Sequence, residues 1–179
     1  MGGSDLTISL LHSSALNIDQ HDELVEMCSV AYGEDMVSII RDVGAGWHVL
    51  GTLEGLLVSH AMWVTRYLRA GSGPELNTAY VELVATSPGH QGRGFATQVM
   101  EHFRNAVQEY ELAALSPADT TLYERLGWEY WRGDLHIRTA EGHESTPDES
   151  VMILRLPCTP AEINLCDDLS AEWRPGEVW

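Results

Sequence analysis

The segment from Tyr80 to Ala96 constrains the fold of this chain more than any other part of its sequence. A strand-like apolar run holds one acid, Glu82, and ends in a turn at Ser87-Pro88-Gly89. The next residues, Gln91–Ala96, include two glycines and open a helix-like segment. A strand, a glycine-rich turn and a helix start form an anion cradle, because backbone N–H groups converge at the positive end of the helix dipole. Glycine lets the ligand approach the backbone closely.

Three kinds of turn have to be compared at this position. A P-loop needs a lysine after its last glycine, and this chain has Phe95 there. A dinucleotide fingerprint needs three glycines, and Thr97 occupies the third position after Gly92 and Gly94. What remains is a Q-x-x-G-x-A pattern, which an ordinary strand-to-helix turn can also carry.

Hydrophobic periodicity predicts a single domain, residues 1–179, of the α/β (α+β) class, with a mixed, mostly antiparallel sheet flanked by helices and a tail at 157–179. The predicted strands are Thr7–Leu11, Trp47–Leu53, Leu56–Thr65, Ala79–Thr86, Leu112–Leu115, Trp128–Trp131 and Val151–Leu156. The predicted helices are one capped by Asp19 or Asp22 that runs to about Tyr32, a short one at Met36–Val43, one at Phe95–Tyr110, and one that starts at Ser116-Pro117. The predicted loops are Arg69–Asn77 and Gly133–Ser150, the second with a strand at Leu135–Arg138.

Charge limits the possible partners. The net charge is −17, from 27 acidic against 10 basic residues. Such a surface disfavours nucleic acid and favours a cationic small molecule or basic peptide. The sequence shows no membrane-spanning run and no basic, apolar leader, so we expect a cytoplasmic protein. The three cysteines, Cys28, Cys158 and Cys166, lack C-x-x-C spacing, and no H-E-x-x-H occurs, so we expect neither a disulfide framework nor a metal.

A second motif follows the first along the chain. Leu122–Trp128 reads LYERLGW, with Tyr123 on a short helix before Gly127. A phenol at this place can protonate a departing thiolate, although Tyr123 could equally be a core tyrosine. The two motifs, in this order, resemble the acyl-CoA loop and the Y-x-x-x-G-[FW] segment of the GNAT superfamily of N-acetyltransferases.

A narrower resemblance runs along nearly the whole chain. Four further segments, Tyr80-Val81-Glu82, Ala114-Leu115-Ser116, Thr146-Pro147-Asp148 and the Trp173–Trp179 ending, are similar to those of the aminoglycoside 2′-N-acetyltransferases. The resemblance implies an acetyl-CoA-dependent enzyme, active as a homodimer, that moves acetyl directly to the 2′-amine of an aminoglycoside antibiotic and thereby confers resistance.

The same resemblance assigns site residues. Glu82 would draw a proton from the substrate amine through water, and Tyr123 would act as the acid. The implied cofactor-binding residues are Leu83, Val84, Gln91, Gly92, Arg93, Gly94, Phe95, Ala96 and Ser116. The implied acceptor-binding residues are Asp35, Glu82, Asp148, Glu149, Glu177 and Trp179, the last with its carboxylate and a ring face for sugar C–H groups.

The chain departs from that family at two acceptor positions. Glu149 and Glu177 stand where aspartate is usual, and each extra methylene moves a carboxylate by about the length of a C–C bond. Asp148 is placed to take over one contact, although an acidic loop is also typical of a solvated surface. Two alternatives therefore stay open: a 2′-N-acetyltransferase of a kasugamycin-type aminocyclitol, and a non-catalytic CoA-binding sensor.

Overall fold

The computed structural model describes residues 6–179. These residues form two compact units. The first contains the chain up to Val64 together with Val81–Ala106, and the second contains Thr65–Tyr80 and Val107–Trp179. Two long strands, β3 (Leu56–Ala70) and β4 (Glu75–Thr86), contribute to both.

The first unit places an antiparallel sheet among three helices. Besides its parts of β3 and β4, the unit contains β1 (Thr7–His12), α1 (Ile18–Tyr32), α2 (Val37–Val43), β2 (Trp47–Leu53) and α3 (Phe95–Ala106). Strand β1 pairs antiparallel with β2, and β2 pairs antiparallel with the first half of β3. Its core packs Leu24 and Met27 of α1 against Leu50, Leu57 and Met62 of the sheet.

A capping box starts helix α1 earlier than predicted. The Asn17 side chain accepts the Gln20 N–H at 2.9 Å, and the Gln20 side chain accepts the Asn17 N–H at 3.1 Å. The prediction that Asp19 or Asp22 is the cap is therefore wrong, because the residue before the helix satisfies the free N–H groups. The predicted end at Tyr32 is confirmed, with Gly33 at φ 75° as the C-cap.

The second unit contains short strands and one short helix. Its elements are β5 (Leu112–Leu115), α4 (Thr121–Arg125), β6 (Glu129–Tyr130), β7 (Leu135–Thr139), β8 (Gly142–Ser145), β9 (Met152–Arg155) and β10 (Leu169–Glu172). Residues 78–80 of β4 pair parallel with β5, which pairs antiparallel with β9. Strand β10 runs parallel to β7 and antiparallel to the end of β3, and β7 and β8 form a hairpin. The predicted mixed, mostly antiparallel sheet flanked by helices is confirmed, whereas the single-domain boundaries stay a prediction.

Two predicted boundaries around the central strands are wrong. The Arg69–Asn77 loop is reduced to a tight turn, because β3 continues to Ala70 and β4 already starts at Glu75. Ion pairs of Glu75 with Arg69 at 3.3 Å and with Arg138 at 3.1 Å lie at this turn. The residues that suggested a loop, Gly71, Gly73 and Pro74, form the tight turn itself.

Four further parts of the chain differ from the sequence prediction. The third helix ends at Ala106 rather than Tyr110, and helix α4 starts at Thr121 rather than at Ser116-Pro117. The Gly133–Ser150 segment is mostly the β7–β8 hairpin, with the predicted strand at Leu135–Arg138 confirmed. The tail contributes the unpredicted strand β10, which is held by long-range pairing and not by a local pattern.

None of the described helices combines the length and the apolar character needed to cross a bilayer.

A chain of polar side chains enters the core of the first unit. His48 Nε2 lies 2.8 Å from Ser13 Oγ, and His48 Nδ1 lies 3.0 Å from His60 Nε2. Beyond it, His60 Nδ1 lies 3.9 Å from Cys28 Sγ. Burial lowers the pKa of His48 to about 4, and burial also lowers the pKa of His60 well below its ordinary value. Both imidazoles are therefore neutral at pH 7.

The buried pair of His48 and His60 makes the stability of the fold sensitive to acid. The unfolded chain binds protons at these histidines near pH 6.5 while the folded chain does not, so stability is present above that pH and falls as pH decreases towards 4. For His48 alone, the free energy of unfolding should drop by about 2 kcal/mol between pH 7 and pH 5. Urea denaturation at the two pH values measures this drop.

The matched variants are His48→Gln, which keeps hydrogen-bonding groups without titrating, and His143→Gln, which removes an exposed histidine. We expect a smaller pH-dependent loss in His48→Gln and an unchanged loss in His143→Gln. An equal loss in His48→Gln and the unmodified protein would contradict the assignment.

Candidate active site

The backbone pairing of strand β4 with strand β5 ends at Tyr80. The parallel ladder joins Thr78–Tyr80 to Leu112–Ala114 and stops there. Beyond this point Val81 and Leu83 are buried, while Glu82 and Val84 are half-buried, as expected for the alternating faces of a strand. The predicted base Glu82 thus lies on the more open face.

The backbone of Val84 is contacted by a tyrosine that sequence reasoning missed. The hydroxyl of Tyr32 donates to the Val84 carbonyl at 3.1 Å, and the Val84 N–H donates to the same hydroxyl at 3.2 Å. Burial raises the pKa of Tyr32, and its hydrogen bond to Val84 partly offsets that rise. Both backbone groups of Val84 can therefore bind a polar side chain or ligand, which suits the predicted pantetheine contact.

The phosphate loop, Gln91–Ala96, has the geometry that an anion cradle requires. Gly92 and Gly94 have φ values of 72° and 79°, which other residues rarely adopt. A Cβ at either glycine would meet nothing within 4 Å, so the space above the loop is open. Helix α3 starts at Phe95, so the last two residues of the loop form the start of the helix. Successive N–H groups near left-handed glycines form a concave anion site at the helix start.

Two contacts fix the loop. The side-chain amide of Gln91 donates to the Thr86 carbonyl at 3.2 Å and so holds the loop to the end of β4. The Arg93 guanidinium carbon lies 4.7 Å from the centre of the Phe95 ring. Because the Phe95 side chain is buried, this residue can offer a ligand its backbone N–H only. The loop fits a pyrophosphate group, with backbone donors and Arg93 supplying positive charge in a very acidic protein.

Asp35 has a local role in the first unit. Its Oδ1 accepts the Val37 N–H at 3.0 Å and so caps helix α2. The other carboxylate oxygen leaves Asp35 able to contact a cation, since the residue is exposed.

Tyr123 lies on α4 in the second unit. Its ring packs edge-to-face on Trp128, with centroids 5.8 Å apart, and its carbonyl accepts the Trp128 N–H at 3.0 Å. Gly127, at φ 84°, permits this sharp return. The motif therefore holds a half-buried phenol against a fixed indole. Ser116 is exposed just after β5.

The structure brings together the acceptor residues predicted near the C-terminal end of the chain. The turn at Thr146 closes through the Glu149 N–H, which donates to the Thr146 carbonyl at 3.2 Å. The indole N–H of Trp179 donates to Thr146 Oγ1 at 2.9 Å. Trp179 is only 7% exposed, so its indole mainly anchors the tail, while Asp148, Glu149 and Glu177 are exposed. We call Asp148, Glu149, Glu177 and Trp179 the acceptor cluster.

The predicted site residues therefore divide between the units. The first unit holds Asp35, Glu82 and all predicted cofactor residues except Ser116, and the second holds Ser116, Tyr123 and the acceptor cluster. Their roles stay predictions.

One group of side chains in the second unit offers donors to a metal ion. The ligand atoms of Asp134, His136 and Asp168 lie within 4.8 Å of one another. Strands β7 and β10 bring them together, since Leu135 pairs with Leu169. The expectation of a metal-free enzyme stays a prediction.

Comparison with known proteins identifies the family. Residues 13–131 match the family model described as acetyltransferase (GNAT) domain. The chain belongs to the GNAT acetyltransferase family. It is 31% identical, over 99% of its length and 94% of the relative's, to an aminoglycoside 2′-N-acetyltransferase of Mycolicibacterium fortuitum.

Solved structures of this family share the fold. A GNAT N-acetyltransferase (YhbS) from Escherichia coli in complex with CoA aligns at a TM-score of 0.65, with 17% identity, over 96% of this chain and 92% of that one. A GNAT acetyltransferase from Brucella melitensis in complex with acetyl-CoA aligns at 0.59, with 11% identity, over 90% and 95% of the two chains. The predicted GNAT resemblance is confirmed, and the protein is an acetyl-CoA-dependent N-acetyltransferase. The sensor alternative finds no support.

A charge placed in the phosphate loop should abolish cofactor binding. Gly94→Asp adds a carboxylate where the pyrophosphate is expected, and like-charge repulsion there should weaken acetyl-CoA binding about 100-fold or more. Isothermal titration calorimetry gives the Kd.

The control is Gly55→Asp, which strains a glycine of similar φ, 87°, in the β2–β3 turn. That variant should lose comparable stability and keep its affinity for acetyl-CoA. Unchanged affinity in Gly94→Asp would remove the loop from the cofactor site.

Proposed function

We propose that this enzyme is an aminoglycoside 2′-N-acetyltransferase that transfers acetyl directly from acetyl-CoA to the amine. The observation that carries the proposal is the 31% identity to the Mycolicibacterium fortuitum aminoglycoside 2′-N-acetyltransferase across 99% of the chain, including its tail. We further propose that it acts in the cytoplasm as a homodimer and confers antibiotic resistance.

The proposed cofactor contacts lie in the first unit, apart from Ser116 of the second unit. Backbone N–H groups of the phosphate loop and the Arg93 guanidinium bind the pyrophosphate, and the Val84 backbone binds an amide of the pantetheine arm, which requires the Tyr32 hydroxyl to share or yield its place. The Leu83 backbone and Ser116 hydroxyl complete the set. The bound thioester supplies an activated acyl carbon for attack.

Proton transfers are assigned to two side chains. An ammonium cannot attack until it loses a proton, so Glu82 accepts that proton through water. The amine then forms the new C–N bond as the C–S bond breaks, and the Tyr123 phenol gives its proton to the departing thiolate. The acylated nitrogen loses its second proton to water, and the Tyr123 phenolate takes a proton back from water. The edge-to-face contact with Trp128 limits the movement of the Tyr123 ring, which supports this role.

A covalent acyl-enzyme at the buried cysteine is disfavoured. Burial raises the pKa of the Cys28 thiol to about 12, so thiolate is scarce at pH 7. The thiol is also enclosed in the core of the first unit. Direct attack by the amine needs no such nucleophile.

The negative charge of the protein suits a polycationic acceptor. Asp35 and the acceptor cluster add exposed carboxylates to a protein of net charge −17, which attracts and orients ammonium groups. Longer side chains at Glu149 and Glu177 alter the spacing of these carboxylates. That difference favours a second candidate, a kasugamycin-type aminocyclitol with the same 2′-amine chemistry.

An acceptor panel separates the candidates. We expect CoA release with tobramycin and gentamicin, which carry a 2′-amine, and none with kanamycin A, which carries a 2′-hydroxyl. Turnover of kasugamycin alone would support the second candidate. Turnover of spermidine alone, or of none of these, would contradict both.

The catalytic assignments predict distinct pH profiles. Glu82→Gln and Tyr123→Phe should each lower kcat about 100-fold, since general acid–base groups contribute on that order. The loss in Glu82→Gln should shrink at alkaline pH, where the amine deprotonates by itself. Glu144→Gln and Tyr130→Phe, both at exposed positions, are the controls. Full turnover in either catalytic variant would overturn that residue's role.

A further inference from the structure

An arginine of the second unit is enclosed by the fold. Arg66 on β3 is 2% exposed, and among the described residues it is the one arginine, aspartate or glutamate that is fully buried. A guanidinium stays charged at any accessible pH, so it can be buried only where acceptors surround it. The partners of Arg66 therefore show what this burial holds in place.

Three hydrogen-bond acceptors of Arg66 lie in the tail. Its Nη2 donates to the Glu172 carbonyl at 2.8 Å, and its Nε donates to Glu172 Oε1 at 3.3 Å. Its Nη1 donates to the carbonyl of Val178. The Tyr80 ring lies below the guanidinium, 5.0 Å from its carbon to the ring centre. One planar group thus bridges both ends of the segment from Glu172 to Val178.

Two residues of the acceptor cluster, Glu177 and Trp179, lie within or next to this segment. Glu177 precedes Val178, and Trp179 follows it and donates to Thr146 Oγ1 at 2.9 Å. Thr146 starts the turn with Asp148 and Glu149. Arg66 holds the tail that carries Glu177, and the Trp179–Thr146 bond joins this tail to the turn that carries Asp148 and Glu149. The backbone on which these carboxylates stand is therefore held in place.

We propose that Arg66 is a positioning residue for the acceptor: it contacts no substrate, but its bonds to the tail set the place of Glu177 and Trp179 and thereby the KM for the aminoglycoside. This inference rests on the proposed function. It also explains the residue type, because a lysine has the charge but lacks the fork that reaches Glu172 and Val178 at once.

The principal test is a double-mutant cycle with Arg66→Lys and Glu177→Gln. Arg66→Lys should raise the tobramycin KM about tenfold, while the acetyl-CoA Kd and the kcat change less than about threefold. Because Arg66 acts in part through Glu177, the lysine variant should raise this KM less in the Glu177→Gln background than in the unmodified enzyme. Additive effects in the cycle would overturn the proposal, as would an unchanged tobramycin KM in Arg66→Lys.

Two more variants separate positioning from general stability. Arg155→Lys alters another arginine that bridges a carboxylate and a carbonyl, Glu129 at 2.8 Å and Ile163 at 3.0 Å, and should leave the tobramycin KM unchanged. Thr146→Val removes the Trp179 acceptor and should raise that KM even where Arg66→Lys fails to fold. An equal KM rise in Arg155→Lys, or none in Thr146→Val, would contradict the inference.

The outcomes also distinguish the two proposals. An unaltered KM in Arg66→Lys, with the unmodified enzyme active on tobramycin, overturns the role of Arg66 and leaves the proposed function standing. Absence of turnover by the unmodified enzyme overturns the proposed function and the positioning role with it.

Discussion

The end of the backbone ladder between β4 and β5 is the constraint on which the proposed cofactor site depends. Pairing stops at Tyr80 and Ala114, and from there β4 continues to Thr86. Val84 can then use its N–H and carbonyl outside that ladder, as its two bonds to Tyr32 show. The strand leads into left-handed glycines and the start of α3, so the open edge and the anion cradle follow one another along the chain.

The proposed acceptor site depends on a different kind of constraint, the burial of the charged Arg66 side chain. Arg66 has to find acceptors, and the tail provides them. Desolvation makes each partner costly to remove, so departure of the tail would cost the guanidinium three hydrogen bonds. Exposed carboxylates alone would be typical of a solvated surface. In the acceptor cluster, however, the indole of Trp179 is bonded to Thr146, and the carbonyl of the neighbouring Val178 is bonded to Arg66.

Local patterns predicted the parts of the site that are contiguous in sequence. Strand β5 was predicted at its observed bounds, and the phosphate loop follows strand β4 and runs into the start of helix α3, as predicted. Contacts between residues far apart in the sequence left no such pattern. Tyr32 and Val84 are 52 residues apart, and Arg66 and Val178 are 112 residues apart, so no local periodicity relates them. Strand β10 was missed for the same reason, because its pairing with β7 and β3 defines it.

The position of the transferred acetyl group tests the central claim most directly. Incubation of the enzyme with tobramycin and acetyl-CoA labelled with ¹³C at the acetyl carbonyl, followed by NMR of the purified product, identifies the nitrogen that carries the label. The account predicts one acetyl group, on the 2′-nitrogen. A label on another amine, or on several, would contradict it.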